Sequence, residues 1–186
     1  TTQEWTKDNL FFLDPNILKK ENIFLVKDYW WGRSGNWKKN KWGTELCIAY
    51  YFPETEHTKL YFPNNPPEQK WFANINSNDI FGLDSLNQEG DLLIITKSQK
   101  DRVTLKYHYG YENVIALQNE GCYIPINIVN DLKNRFKRII IIFDNDPTGY
   151  DNAQHLSNLY NIEYKIIESE YKDSYENFIN NYKIII

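Results

Sequence analysis

The sequence predicts an α/β domain, a parallel sheet flanked by helices, preceded by a smaller α+β subdomain that is mainly antiparallel. Three observations predict it. From Gly90 onward, short apolar runs alternate with segments that read as helices, and β–α units at this spacing imply parallel strands with helices on the sheet faces. One run, Ile139-Ile140-Ile141-Ile142-Phe143, has no polar interruption, as expected of a strand buried on both faces. Before residue 84 the pattern differs: all six Trp lie there, among strand-like runs separated by polar turns.

Taken in order, residues 16–21 read as a short helix after Pro15. Residues 23–26 and 29–31 read as β. Residues 45–52 and 59–63 read as strands of a meander, and 70–74 as another strand. Residues 81–90 read as a connection, so the expected organisation is an N-terminal subdomain over 1–83 and an α/β domain over 84–186. There the expected order is strand 92–96, helix 101–109 closed by Gly110, strand 113–117, helix 126–136, strand 138–143, helix 148–160 and strand 164–167.

With 186 residues, 41% hydrophobic and 25% charged, the chain has the composition of an ordinary globular protein of one large or two small domains. The 16% aromatic content serves a core first, although aromatic rings also stack on bases. At a net charge of −4, nucleic-acid binding cannot rest on overall basicity; it needs a local patch and a bridging cation. Cys47 and Cys122 fit no metal-ligand spacing and are expected to be inert thiols in a reducing cytoplasm. No apolar run reaches 18 residues and no signal peptide is evident, so no membrane partner is expected. Methionine is absent, so Thr1 is expected not to be the natural start.

The chemistry concentrates in Phe143-Asp144-Asn145-Asp146-Pro147-Thr148-Gly149, which follows the most apolar strand. Acids at i and i+2 on extended backbone point the same way, about 7 Å apart, which suits a hard cation shared with phosphate. A surface turn using Asp for its turn propensity is the alternative. Parallel strands would put residues 97–101, 118–121, 144–146 and 172–176 at one sheet edge, where ligands bind in such sheets. Carboxylates converging there repel, and a divalent ion is their natural partner. The three His are far apart and neither a Rossmann nor a P-loop fingerprint is present.

Ile94-Ile95-Thr96-Lys97-Ser98-Gln99-Lys100-Asp101, then Ala116-Leu117-Gln118-Asn119-Glu120-Gly121, then Ile139 to Gly149, then Lys172-Asp173, resembles a TOPRIM domain, and its wording is similar to phage-type DNA primases. The resemblance spans about 84–181, with weaker similarity upstream at Trp30-Trp31, Ile48–Phe52 and Leu60-Tyr61-Phe62-Pro63. It implies a Mg²⁺- or Mn²⁺-dependent nucleotidyltransferase that makes RNA primers in DNA replication. Single-stranded DNA template and ribonucleotides are the implied partners, with a replicative helicase beside them, in the cytoplasm of a bacterial host. Asp144 and Asp146 are the implied metal ligands, joined by Asp173, for which a helix cap is the alternative. Asp101 is expected to stabilise a helix's first turn.

One departure from the family pattern stands out. TOPRIM enzymes usually carry Glu directly after the first strand, where this chain has Lys97. A protonated Lys cannot ligate a metal, but it can hold a phosphate or partly neutralise Asp144 and Asp146. Glu120, on the next loop, is the candidate for the missing carboxylate, so the expected catalytic set is Lys97, Glu120 and Asp144. The departure leaves two alternatives to a primase: a TOPRIM nuclease, or a nucleic-acid-binding module without turnover. The segment 33–43 carries Arg33, Lys38, Lys39 and Lys41 with Trp37 and Trp42 and no acid. It reads either as a solvated hairpin loop or as a basic, aromatic surface for single-stranded DNA. Arg33, Trp37, Lys38, Lys39 and Lys41, with Lys100, are the expected nucleic-acid contacts.

Overall fold

The structure, a computed structural model, describes residues 14–26, 28–31, 38–39, 46–119, 121–167, 169–180 and 182–186. The chain forms two compact units, Thr1–Asn76 and Ser77–Ile186. The sequence expectation placed the join at residues 83 and 84. Residues 79–81 lie with the second unit, where Phe81 pairs with Ala116 through two backbone hydrogen bonds of 2.9 and 3.0 Å.

In the first unit, α1 (Pro15–Lys20) starts where Asp14 accepts the Asn16 N–H at 2.7 Å, with Pro15 in the first turn. Four strands follow in one antiparallel sheet, ordered β1 (Ile23–Leu25), β4 (Ile48–Phe52), β5 (His57–Tyr61) and β6 (Trp71–Ala73). A separate two-stranded pair joins β2 (Trp30–Trp31) to β3 (Lys38–Lys39). Alternation along the strands sends Ala49 and Leu60 to one face, where they bury with Cys47 and Phe62. On the other face Tyr61 stacks on Trp71 at 4.3 Å between ring centroids, and Lys59 lies over the Trp71 ring.

The second unit is a four-stranded, all-parallel sheet in the order β10 (Glu163–Tyr164), β9 (Phe136–Ile141), β7 (Gly90–Thr96), β8 (Val114–Ala116). The chain leaves β7 for β8 on one side, then returns to β9 on the other. The direction of winding therefore reverses between β7 and β9. Such reversals open a crevice at the strands' carboxyl ends.

Both faces of this sheet are covered, which explains the unbroken apolar runs. Leu93, Ile95, Ile139 and Ile141 bury against Val129 and Leu132 of α3 (Ile126–Arg135) and Ala153 and Leu156 of α4 (Pro147–Tyr160). Ile94, Ile140 and Ile142 face the opposite way, onto Leu105 of α2 (Gln99–Tyr107) and Ile184. A last helix, α5 (Ser174–Ile179), lies against α2, where Phe178 stacks on His108. Helix α3 passes into β9 with no residue between them.

Strand bounds shift from those expected. Strand β9 begins at Phe136, where the residue pairs with Gly90, because backbone pairing extends beyond the apolar run. It leaves the ladder at Ile141, although the Ile142 N–H still reaches the Ile95 carbonyl at 2.8 Å. Strand β10 is two residues long, at 163–164, rather than four at 164–167.

Candidate functional site

The loop after β7 begins at Lys97 and closes onto α2 through Ser98. Ser98 Oγ accepts the Asp101 N–H at 3.2 Å and donates to Asp101 Oδ2. This ties Asp101 to the helix's first turn, as the sequence suggested, and buries it, leaving 1% exposed. Its other oxygen, Oδ1, is buried with no hydrogen-bond partner among the described residues.

The loop after β9 carries Asp144, also 1% exposed. Gly149, in the first turn of α4, sits against its backbone. A Cβ there would come within 2.8 Å of the Asp144 nitrogen. Asp146 is the N-cap of α4, accepting the Gly149 N–H at 2.8 Å. The two acids stand beyond the strand, on a loop, and Asp146 is turned into its cap.

The fourth loop is fastened to this one by Asn145, whose N–H reaches the Lys172 carbonyl at 2.7 Å and whose side-chain amide reaches the Ser169 carbonyl at 2.6 Å. Asp173 caps α5, accepting the Glu176 N–H at 2.8 Å. The cap reading of Asp173 therefore holds, and the same side chain also belongs to the acidic cluster.

That cluster is Asp101, Asp144 and Asp173: one carboxylate oxygen of each lies within 4.8 Å of the others, and all three residues are buried. Asp101 comes from the first turn of α2, Asp144 from the loop after β9 and Asp173 from the N-cap of α5, brought together by the β10–β9–β7 order. Three lysines answer them. Lys97 Nζ donates to Asp144 Oδ2, Lys100 Nζ to Asp173 Oδ2 at 2.9 Å, and Lys172 Nζ to Asp146 Oδ2 at 2.8 Å, with Asp144 a further 3.5 Å contact of Lys172.

The electrostatics follow from this crowding. Burial pushes the Asp101 carboxyl up to about 6, and the nearby Asp173 charge adds to the rise. Burial opposes ionisation of Asp173 too, but Lys100 outweighs it and holds that carboxyl below its ordinary value. Lys100 loses solvation, yet Asp101 and Asp173 together hold its ammonium above the ordinary range. The Lys172 hydrogen bond, then the Gly149 N–H, hold Asp146 low, and the same bond raises Lys172.

Of the expected site residues, Lys97, Asp144, Asp173 and Lys100 converge on this cluster, and Asp146 lies at its rim through Lys172. Glu120, Arg33, Trp37 and Lys41 lie outside the described residues, and Lys38 and Lys39 form β3. Sequence reasoning gave Asp101 stabilisation of a helix's first turn and an indirect role in holding the loop, and assigned no site role to Lys172 or Asn145. The signal for Lys172 was present in its Lys-Asp pair; that for Asp101 required the strand order.

Three oxygen donors this close, one with an unpartnered buried atom, are chemically suited to a hard divalent cation. Among the described residues no helix is long and apolar enough to cross a membrane.

No protein-family model matches the chain, and no curated protein does. Solved structures do match. The Escherichia coli primase catalytic core superposes with a TM-score of 0.69 at 12% identity, covering 98% of this chain and 69% of that one. The primase fragment of the bacteriophage T7 primase-helicase gives 0.63 at 14% identity, covering 93% and 70%. The zinc-binding and RNA polymerase domains of Aquifex aeolicus primase give 0.66 at 16% identity, covering 91% and 50%. With its antiparallel sheet unit followed by a parallel, TOPRIM-type α/β unit, the chain has the fold of a primase catalytic core.

Proposed function

We propose that the chain is a phage-like primase core that joins ribonucleotides into an RNA primer on single-stranded DNA, using Mg²⁺ or Mn²⁺. The observation that carries this reading is the buried Asp101–Asp144–Asp173 cluster at the carboxyl end of the β7–β9 crevice, in the fold of primase cores. Asp144 and Asp173, with Asp101, are the residues to hold the ion, and Asp146 orients the loop through its cap. A divalent ion held there would supply the positive charge that offsets the phosphates' negative charge. Lys97, Lys100 and Lys172 surround the acids as point charges for the triphosphate and template backbone. Glu120 as a further carboxylate, and Arg33, Trp37, Lys38, Lys39 and Lys41 as nucleic-acid contacts, belong to the same proposal. The setting is the cytoplasm of a bacterial host, beside a replicative helicase.

The lysine pairs favour one competing reading, a nucleic-acid-binding module without turnover. Primer synthesis from labelled ribonucleotides on a mixed-sequence single-stranded template, with Mg²⁺ or Mn²⁺, tests the proposal. Labelled primers that vanish in D144N support it. Salt-sensitive binding with no product identifies the binding module instead, and metal-dependent cleavage of the template identifies a nuclease.

A further inference from the structure

Lys97 occupies a position that makes cation entry conditional. Its ammonium donates to Asp144 Oδ2, one member of the acidic triad, and only about a fifth of its side chain is exposed. Asp101, another member, has a buried oxygen without a hydrogen-bond partner among the described residues. Among the described residues, the four carboxylates Asp101, Asp144, Asp146 and Asp173 face three ammonium groups, Lys97, Lys100 and Lys172, so the charge of that set is already nearly offset. A divalent ion added to that set leaves cationic charge in excess, and Lys97 and the ion repel each other when both lie on Asp144.

Resting on the reading of this cluster as a metal centre, we infer that Lys97 is a resident counter-cation, displaced by the divalent ion and received by a phosphate of the nucleic acid. Metal and polynucleotide then bind cooperatively, since each removes a cost the other faces alone. The coupling is reciprocal: the ion strengthens DNA binding by the factor by which DNA strengthens ion binding. A carboxylate at position 97, as TOPRIM enzymes usually have, would add a ligand and lack this coupling.

Paramagnetic resonance titration of Mn²⁺ into the whole chain, wild type and K97Q, measures the competition directly. K97Q is expected to bind Mn²⁺ about tenfold more tightly than wild type without DNA. A short mixed-sequence oligodeoxynucleotide is expected to raise Mn²⁺ affinity in wild type by a larger factor than in K97Q, after subtraction of Mn²⁺ held by the oligonucleotide alone. A second measurement needs no variant. Acylation of Lys97 in the wild-type chain, read by mass spectrometry, is expected to rise on addition of Mn²⁺ and fall again when the oligonucleotide is added.

Equal or weaker Mn²⁺ binding by folded K97Q overturns the inference while leaving the metal centre intact. So does Lys97 acylation indifferent to Mn²⁺ at concentrations that saturate wild type. Absence of Mn²⁺ binding in both proteins, with and without DNA, overturns the metal centre and the proposed primase with it.

Discussion

Asp101 is a carboxylic acid in a place that disfavours its charge. Its carboxyl titrates near 6 against an ordinary 3.8, because burial and Asp173 both resist ionisation. The sign follows directly. Between about pH 4 and 6 the unfolded chain gives up a proton that the folded chain keeps, so this group's contribution to stability falls as pH rises through that window and is flat above it. In chelator-treated protein, D101N is expected to abolish that decline and to raise stability at neutral pH by up to about 3 kcal/mol. Urea unfolding at several pH values checks this. Cys47 offers a second residue-scale expectation: burial pushes its thiol up to about 12. In native protein a neutral thiol reagent should label Cys122, which is partly exposed, and reach Cys47 only on unfolding. The residues show where sequence legibility ends. Asp144 and Asp173 were readable because loops after parallel strands share an edge. Asp101 was legible as a first-turn helix residue at the same sheet edge but not as a member of the cluster, because its distance to Asp144 depends on β7 lying next to β9, and strand order leaves no local mark in the chain.

At the scale of elements, the start of α4 governs where Asp144 sits. Gly149 lets the helix's first turn rest on the Asp144 backbone, and any side chain there overlaps backbone atoms rather than a flexible tip. G149A is therefore expected to cost about 1–3 kcal/mol, measured by denaturant titration, and to weaken Mn²⁺ binding by displacing Asp144. The Asp-x-Asp-x-x-Gly spacing was legible, but the geometric reason for the glycine was not. Helix α2 is anchored by Arg102, which is 1% exposed. Its Nε donates to the Val114 carbonyl at 2.8 Å, and Nη2 to Ser85 Oγ at 2.8 Å. R102A removes donors from a buried carbonyl and opens a cavity, so a loss of about 3 kcal/mol or more is expected in the same assay. Pattern reading found each helix and strand from β7 to β10 within a few residues, while α5 entered only through the cap alternative for Asp173. It misjudged the ends, because β9 and β10 are bounded by pairing partners rather than by their own composition.

Across the whole molecule, the second unit has a hydrophobic core of its own. Among the described residues, the apolar clusters on the two faces of the parallel sheet are built from residues between Ile80 and Ile186. Residues 77–186 expressed alone are therefore expected to unfold cooperatively on heating, as followed by circular dichroism, and to keep near-native Mn²⁺ affinity. The first unit has a smaller apolar cluster of Cys47, Ala49, Leu60 and Phe62. The change in character near residue 84 goes with a difference in architecture: the strands before it form an antiparallel sheet, and the unbroken apolar runs after it form a parallel sheet covered on both faces.

The direct passage from α3 into β9 has a consequence for how this protein can evolve. With no slack at Arg135–Phe136, one codon gained or lost there would shift the following strand by a step and rotate Ile139 and Ile141 from one side of the sheet to the other. Asp144 would be carried along with them. That seam should tolerate changes of side chain yet reject changes of length, a behaviour that a scan of single-residue insertions would reveal.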